Sequence, residues 1–272
     1  MTISLIKNNP IGVFDSGIGG LTITSSLVKN LPNESIIYFG DTAHLPYGDK
    51  SKHTIQNYTK TIVDFLLSRK VKIILIACNT ASAAAYETIK EYVGDKAIIV
   101  NVIDPIVDFL ANNYANKNIG LIGTKFTVQS NIYHNKITAT NKNINFNAVA
   151  TPLLVPIIEE GFFDHGLIDM ALNKYLQNPL LSNIEGLVLG CTHYPIIKQK
   201  ISNFYQNKID IIDAAKITTQ AIKNILFKFD IAAQNNNASH HFYVSNYTEN
   251  FAKNTQIFFG KDVKIELMDI FK

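Results

Sequence analysis

The 272-residue chain contains two cysteines, Cys78 and Cys191, and both stand where an apolar run gives way to helix-forming sequence. Cys78 lies in IILIACNTASAAAYETIK and Cys191 in GLVLGCTHYPIIKQK. Each is followed by side chains suited to a first helical turn, Asn79 and Thr80 in one case and Thr192 in the other, and Pro195 marks an early helical position. A helix N-terminus stabilises a thiolate and can also bind a carboxylate. Two such sites facing each other across a cleft place one thiol on either side of a bound molecule. Inverting a carbon stereocentre by proton transfer has that requirement: one base removes the proton, and an acid on the opposite face returns one. A free thiol, with a pKa of about 8.5, serves in either form near neutrality. Asp15 is placed to take up or orient the Cys78 proton, and His193 the Cys191 proton. A nearby carboxylate raises a thiol's pKa, so Asp15 suits a relay better than a stabiliser of the thiolate. The bland alternatives are core cysteines, since a lone thiol among apolar neighbours is usually a small core residue, and a helix-capping or packing role for His193.

These residues need elements to hold them. Short β-branched runs alternate with amphipathic stretches: IGVFDS, SIIYFGD, VKIILIA, AIIVNVID, NIGLIGT, NFNAVAT, GLVLGC and KIDIID read as strands. Helical patterns cover Leu21–Leu31, Lys52–Ser68 and Ala81–Tyr92. Near-continuous apolar strands alternating with helices predict an α/β fold on mainly parallel sheets, with ligands beyond the carboxyl ends of the strands. The sequence also repeats itself. IGVFDSGIGG matches IGLIGTKFTV, aligning Asp15 with Thr124; ILIACNTASA matches LVLGCTHYPI, aligning the cysteines; VNVIDPI matches IDIIDAA, aligning Asp104 with Asp213. All three offsets are about 110 residues, which predicts two related halves sharing one cleft. The expected boundaries are residues 1–103 plus 214–272 for a discontinuous first domain, and 104–213 for the second.

Composition narrows the class. Lys and Arg number 25 against 22 Asp and Glu, a net charge of +3, too slight for a nucleic-acid surface. No apolar run is long enough for a membrane span, and the N-terminus lacks a secretory pattern, so a cytoplasmic location is expected. Two cysteines there are not a disulfide framework. Two loops add site candidates. FDSGIGGLTI offers a glycine turn and amide N–H groups at a helix start, with Asp15 and Ser16 at the strand end; Thr22 occupies the place of the third glycine of a dinucleotide fingerprint. GDTAHLPYGDKS contains a Pro46-Tyr47-Gly48 turn signal and reads either as a surface loop or as a cleft wall.

The chain resembles the glutamate racemases of the aspartate/glutamate racemase superfamily. The resemblance rests on FDSGIGGLT, YFGDTAHLPYGDKS, ACNTASA, LLVPIIEEG and LGCTHYP, in family order from Phe14 to Pro195. It implies two flavodoxin-like α/β domains related by a pseudo-twofold axis, with glutamate bound between them. It further implies cofactor-independent racemisation, with Cys78 and Cys191 as the catalytic pair and Asp15, Glu159 and His193 assisting. Cys78 is then the base for D-glutamate and Cys191 the base for L-glutamate. Asp15, Ser16, Tyr47, Gly48, Asn79, Thr80, Thr124 and Thr192 are implied to hold the substrate. Without the resemblance Glu159 reads as a solvated acid, and Glu160 is not distinguishable from it. The family also implies a role in supplying D-glutamate for peptidoglycan, and a homodimer. Departures are His44, where many relatives have a longer basic residue, Ala214, where serine is common, and the loose late motif FYVSNYTENF.

Three rival readings stand beside this one. An aspartate or other amino-acid racemase uses the same chemistry on a different side chain. A metal site built on Cys78, Cys191 and His193 has suitable donors, but no CxxC or HxxxH spacing supports it. A non-catalytic two-lobed binding protein shares the architecture, though not the need for paired thiols.

Overall fold

A computed structural model describes residues 7–162, 166–234, 237–259 and 263–271. Its strands are β1 (Ile11–Asp15), β2 (Ile36–Gly40), β3 (Ile73–Ile76), β4 (Ile98–Asn101), β5 (Asn118–Gly123), β6 (Asn145–Ala150), β7 (Gly186–Gly190), β8 (Asp210–Ile212), β9 (His240–Val244) and β10 (Ile265–Leu267). They form two sheets, in the orders β10-β9-β2-β1-β3-β4 and β6-β5-β7-β8, and every pairing is parallel. Strands β1, β2, β3 and β7 are buried along their whole length, which is why they read as unbroken apolar runs. Helices cover both faces. Helix Lys52–Ser68 turns Ile55, Thr59, Ile62, Val63 and Leu66 inward at helical spacing, and Ser51 caps it by accepting from Thr54 N at 3.1 Å.

The internal repeat is visible strand for strand. The order β2-β1-β3-β4 in the first sheet has its counterpart in β6-β5-β7-β8 of the second, and the cysteines follow the equivalent strands β3 and β7. One landmark differs from the sequence alignment. Asp213 caps helix Ala214–Lys228 by accepting from Ala215 N at 3.2 Å. In the first half Asn101 does this, accepting from Ile103 N and Asp104 N at 2.8 Å. Asp104 instead accepts from Asn101 Nδ2 and pairs with Lys136, both at 2.8 Å. The functional counterpart of Asp213 is therefore Asn101, and the sequence matched the acids because they share a type.

Strands β9 and β10, absent from the sequence reading, extend the first sheet beyond β2. A buried cation fixes the approach to them. Lys72 pairs with Glu34 at 2.6 Å and donates to Ile231 O at 2.8 Å, while Glu34 accepts from Ala233 N at 2.8 Å. Among the described residues no helix is long and apolar enough to cross a membrane.

Candidate active site

The carboxyl ends of the strands converge on one cleft. Ser16 follows β1, Tyr47 and Gly48 lie in the loop after β2, and Cys78 follows β3; opposite them, Thr124 follows β5, Thr151 follows β6 and Cys191 follows β7. Asn79, Thr80, Thr192 and His193 complete the lining. The space for water between these groups is about 30 Å³, room for roughly two molecules.

Cys78 is 5% exposed and caps helix Asn79–Val93 itself, its Sγ accepting from Ala81 N at 3.4 Å. The thiol lies 3.8 Å from Ser16 Oγ, to which it donates. Burial pushes it up to about 12, reinforced by the Asp15 carboxylate and by Cys191. Cys191 has a different companion: its Sγ is 3.6 Å from His193 Nδ1, and His193 Nε2 meets Glu159 Oε1. Burial opposes a charge on His193, but Glu159 and Cys191 together outweigh it and hold the imidazole well above its ordinary value. The ring is then an imidazolium, donating one N–H to Glu159 and the other to the Cys191 sulfur.

Asp15 is fully buried beneath the lining. It accepts from Gly17 N at 3.0 Å and, across the cleft, from Thr192 Oγ1 at 2.9 Å. Burial raises its carboxyl, and His193 and these two donors pull against that. Asp15 thus acts on Cys78 through its charge; the hydrogen-bond partner of that thiol is Ser16, the residue after β1. Glu159 ends helix Leu154–Glu159 and also accepts from Ile18 N at 3.3 Å, whereas Glu160 is exposed. That separates the two acids, which sequence patterning alone did not.

The lobes touch through site residues. Thr80 Oγ1 lies 2.8 Å from Thr124 Oγ1, and Tyr47, whose OH donates to Asp41 at 2.6 Å, stands beside Gly48. Gly48 packs so closely that an added Cβ would fall 2.7 Å from Thr124 Cβ. At Gly19 a Cβ would sit 2.5 Å from Thr192 Oγ1 and 2.7 Å from the Thr192 carbonyl carbon. Both glycines let the two halves approach. Every residue that the sequence marked as a site candidate is thus in or directly behind one cleft. Among the described residues no group of three or more His, Cys, Asp or Glu side chains is arranged to hold a metal ion.

A family model described as Asp/Glu/Hydantoin racemase matches residues 11–222. The chain belongs to the Asp/Glu/Hydantoin racemase family. A relative named glutamate racemase, from Neisseria meningitidis serogroup C, is 40% identical over 266 residues, covering 97% of this chain and 98% of the relative. The glutamate racemase of Francisella tularensis, solved in complex with D-glutamate, superposes with a TM-score of 0.90 at 36% identity, covering 98% and 99% of the two chains. That of Thermus thermophilus, solved with β-chloro-D-alanine, gives 0.84 at 33% identity and 96% coverage of each. For this racemase the sequence reading overlooked Thr151, Val155 and Lys125 as cleft-lining residues. Thr151 was findable, since it ends a strand as the cysteines do. Val155 and Lys125 lie in helical turns and carried no such signal.

Proposed function

We propose that this racemase interconverts L- and D-glutamate by two-thiol proton transfer without a cofactor. The observation that carries the reading is the placement of Cys78 and Cys191 at equivalent strand ends, lining one cleft from its two lobes. One sulfur, as thiolate, removes the α-proton and leaves a carbanion conjugated with the carboxylate. The other, as thiol, delivers a proton to the opposite face. The two sulfurs have then exchanged protonation states, and the product is the mirror image. Cys191, facing the His193 imidazolium, is the base for L-glutamate; Cys78, whose thiol burial holds protonated, is its acid and, in reverse, the base for D-glutamate. Asp15 and the Glu159–His193 pair assist by charge and hydrogen bonding. Ser16, Tyr47, Gly48, Asn79, Thr80, Thr124 and Thr192 hold the two carboxylates and the ammonium group. Glutamate rather than aspartate is favoured by the 40% identical relative's name and by the D-glutamate complex of the 36% identical one.

The reading extends further. The lobes comprise residues 1–103 with 214–272, and 104–213, a division supported by β9 and β10 joining the first sheet. The enzyme works in the cytoplasm as a homodimer, and its D-glutamate feeds peptidoglycan synthesis. The test is α-proton exchange in D₂O with both enantiomers of glutamate and of aspartate. Glutamate should exchange and racemise without added cofactor. Faster turnover of aspartate, or an unexchanged α-proton, would remove the reading.

A further inference from the structure

Asn79 is 2% exposed and lines the cleft immediately after Cys78. Its two amide ends are treated differently. Oδ1 accepts from Tyr133 OH at 2.7 Å, while Nδ2 is buried with no hydrogen-bond partner. A buried amide N–H left unpaired is costly, and a native site retains one when a ligand atom completes it. The missing partner is an acceptor, which for an amino-acid substrate is a carboxylate oxygen. Tyr133 belongs to helix Ile132–Ala139, on the opposite side of the cleft from Asn79. It is 3% exposed, and its ring stacks on Phe146 at 6.3 Å.

We propose that Tyr133 is a positioning residue: its hydroxyl fixes the Asn79 amide with the NH₂ group toward the cleft, where it receives a substrate carboxylate. This rests on the glutamate reading of the site. The oxygen and nitrogen ends of an asparagine amide are nearly equal in shape, so packing alone does not choose between them; here the Tyr133 hydroxyl donates to the oxygen end, which leaves the NH₂ end toward the cleft. Burial, then Asp104 and Cys191, raise the Tyr133 hydroxyl above its ordinary range, so it keeps its proton and remains a donor at working pH. Because donor and amide come from opposite sides of the cleft, the amide is oriented only when the lobes are together. Substrate recognition and closure are thereby coupled through one hydrogen bond.

The contact is made alike by bound substrate and by the transition state, so its loss should appear in KM and not in kcat. Tyr133→Phe keeps the ring and removes only the hydroxyl. It should raise KM about fivefold for both enantiomers and leave kcat within about twofold, the effect of one ordinary hydrogen bond. The deciding measurement is a double-mutant cycle with Asn79→Ala. If Tyr133 acts through the amide, Tyr133→Phe changes kcat/KM by less than about twofold once the amide is gone. An unchanged KM in Tyr133→Phe, or the same loss of kcat/KM in both backgrounds, overturns the proposal, the latter assigning Tyr133 to packing. A wild-type chain that does not racemise glutamate overturns the functional reading and this inference together. An active wild type with an additive cycle overturns the inference alone.

Discussion

Replacing Glu159 by Gln should disable one face of the reaction and spare the other. In the native site the carboxylate overcomes the burial that opposes a charge on His193. Glutamine removes the charge, keeps the shape and still accepts from His193 Nε2. Burial then wins, and the imidazole becomes neutral with its one proton on Nε2. Nδ1, 3.6 Å from the Cys191 sulfur, turns from donor to acceptor. The Cys191 sulfur then faces an acceptor in place of a charged donor, and the support that the imidazolium gives it as a base is gone. The loss should be about 10²-fold, the lower end for an acid–base group, because the sulfur itself remains. Exchanging a charge-assisted hydrogen bond for a neutral one should cost about 1 kcal/mol of stability, a fall of roughly 2–4 °C in Tm for a chain of this size.

Racemisation rates cannot resolve the two faces, since enantiomers are equal in free energy and kcat/KM must match in both directions. Elimination can. From β-chloroalanine one thiolate takes the α-proton as chloride leaves, and the aminoacrylate hydrolyses to pyruvate and ammonium, which a coupled assay follows. Glu159→Gln should lose about 10²-fold with the L enantiomer and less than about threefold with the D enantiomer. Its residual L rate should depend more steeply on pH than that of the wild type, whose His193 is held well above its ordinary value. Equal losses on both faces, or an unchanged pH profile, would refute the assignment of the pair to Cys191.

Cys78→Ser and Cys191→Ser should each lose racemisation by at least about 10²-fold. In elimination they should behave as mirror images, Cys191→Ser retaining the D enantiomer and Cys78→Ser the L; losing both alike would end the two-face mechanism. Asp15→Asn should lower activity while raising Tm at pH 7. Burial lifts the Asp15 carboxyl above its unfolded value, so its contribution to stability is most favourable below the unfolded pKa and is lost as pH rises through the folded one. The gain should vanish when melts are repeated below about pH 4, and a lower Tm at pH 7 would contradict the sign. Gly19→Ala should leave the far-ultraviolet circular dichroism intact and reduce kcat/KM at least about 10²-fold, because its Cβ meets the backbone of Thr192 at 2.7 Å. Near-native activity would show that the lobes need not come so close.

The sequence made the strand-end cysteines legible because parallel strands bury both faces and stop abruptly where chemistry begins. Helix Lys52–Ser68 was found to its ends, since Ser51 is an ordinary cap. The helix after Cys78 begins at Asn79, two residues before the expected Ala81, because a thiol supplies the cap and sulfur is not a usual capping atom. Strand β9 escaped notice behind a polar run, and β10, three residues long, has too few positions for alternation to register. The partners of the cysteines were least legible. Asp15 was expected to take up or orient the Cys78 proton, yet its hydrogen bond crosses to Thr192, a link no local pattern encodes. Glu159 reaches His193 from a helix end 34 residues earlier, by tertiary packing alone.

The duplication therefore supplies equivalent positions for the sulfurs, not equivalent surroundings. Burial and the field of the Asp15 carboxylate keep Cys78 protonated, against the opposing pull of the Ala81 amide and the Ser16 hydroxyl. Cys191 has an imidazolium held by a carboxylate. An enzyme whose substrate and product are equal in free energy tolerates this inequality. A stronger base on one face is offset by the smaller share of enzyme carrying the opposite proton arrangement, so kcat/KM remains equal in the two directions. What the difference sets is the proton inventory beside each sulfur: Cys78 is held as a thiol, while Cys191 faces the hydrogen-bonded His193 ring. On the proposed mechanism L-glutamate needs Cys78 as the thiol, whereas D-glutamate needs a proton moved from Cys78 to Cys191 first. On the same mechanism, Ser16 and Asp15 beside one sulfur and His193 beside the other would carry that proton between turnovers.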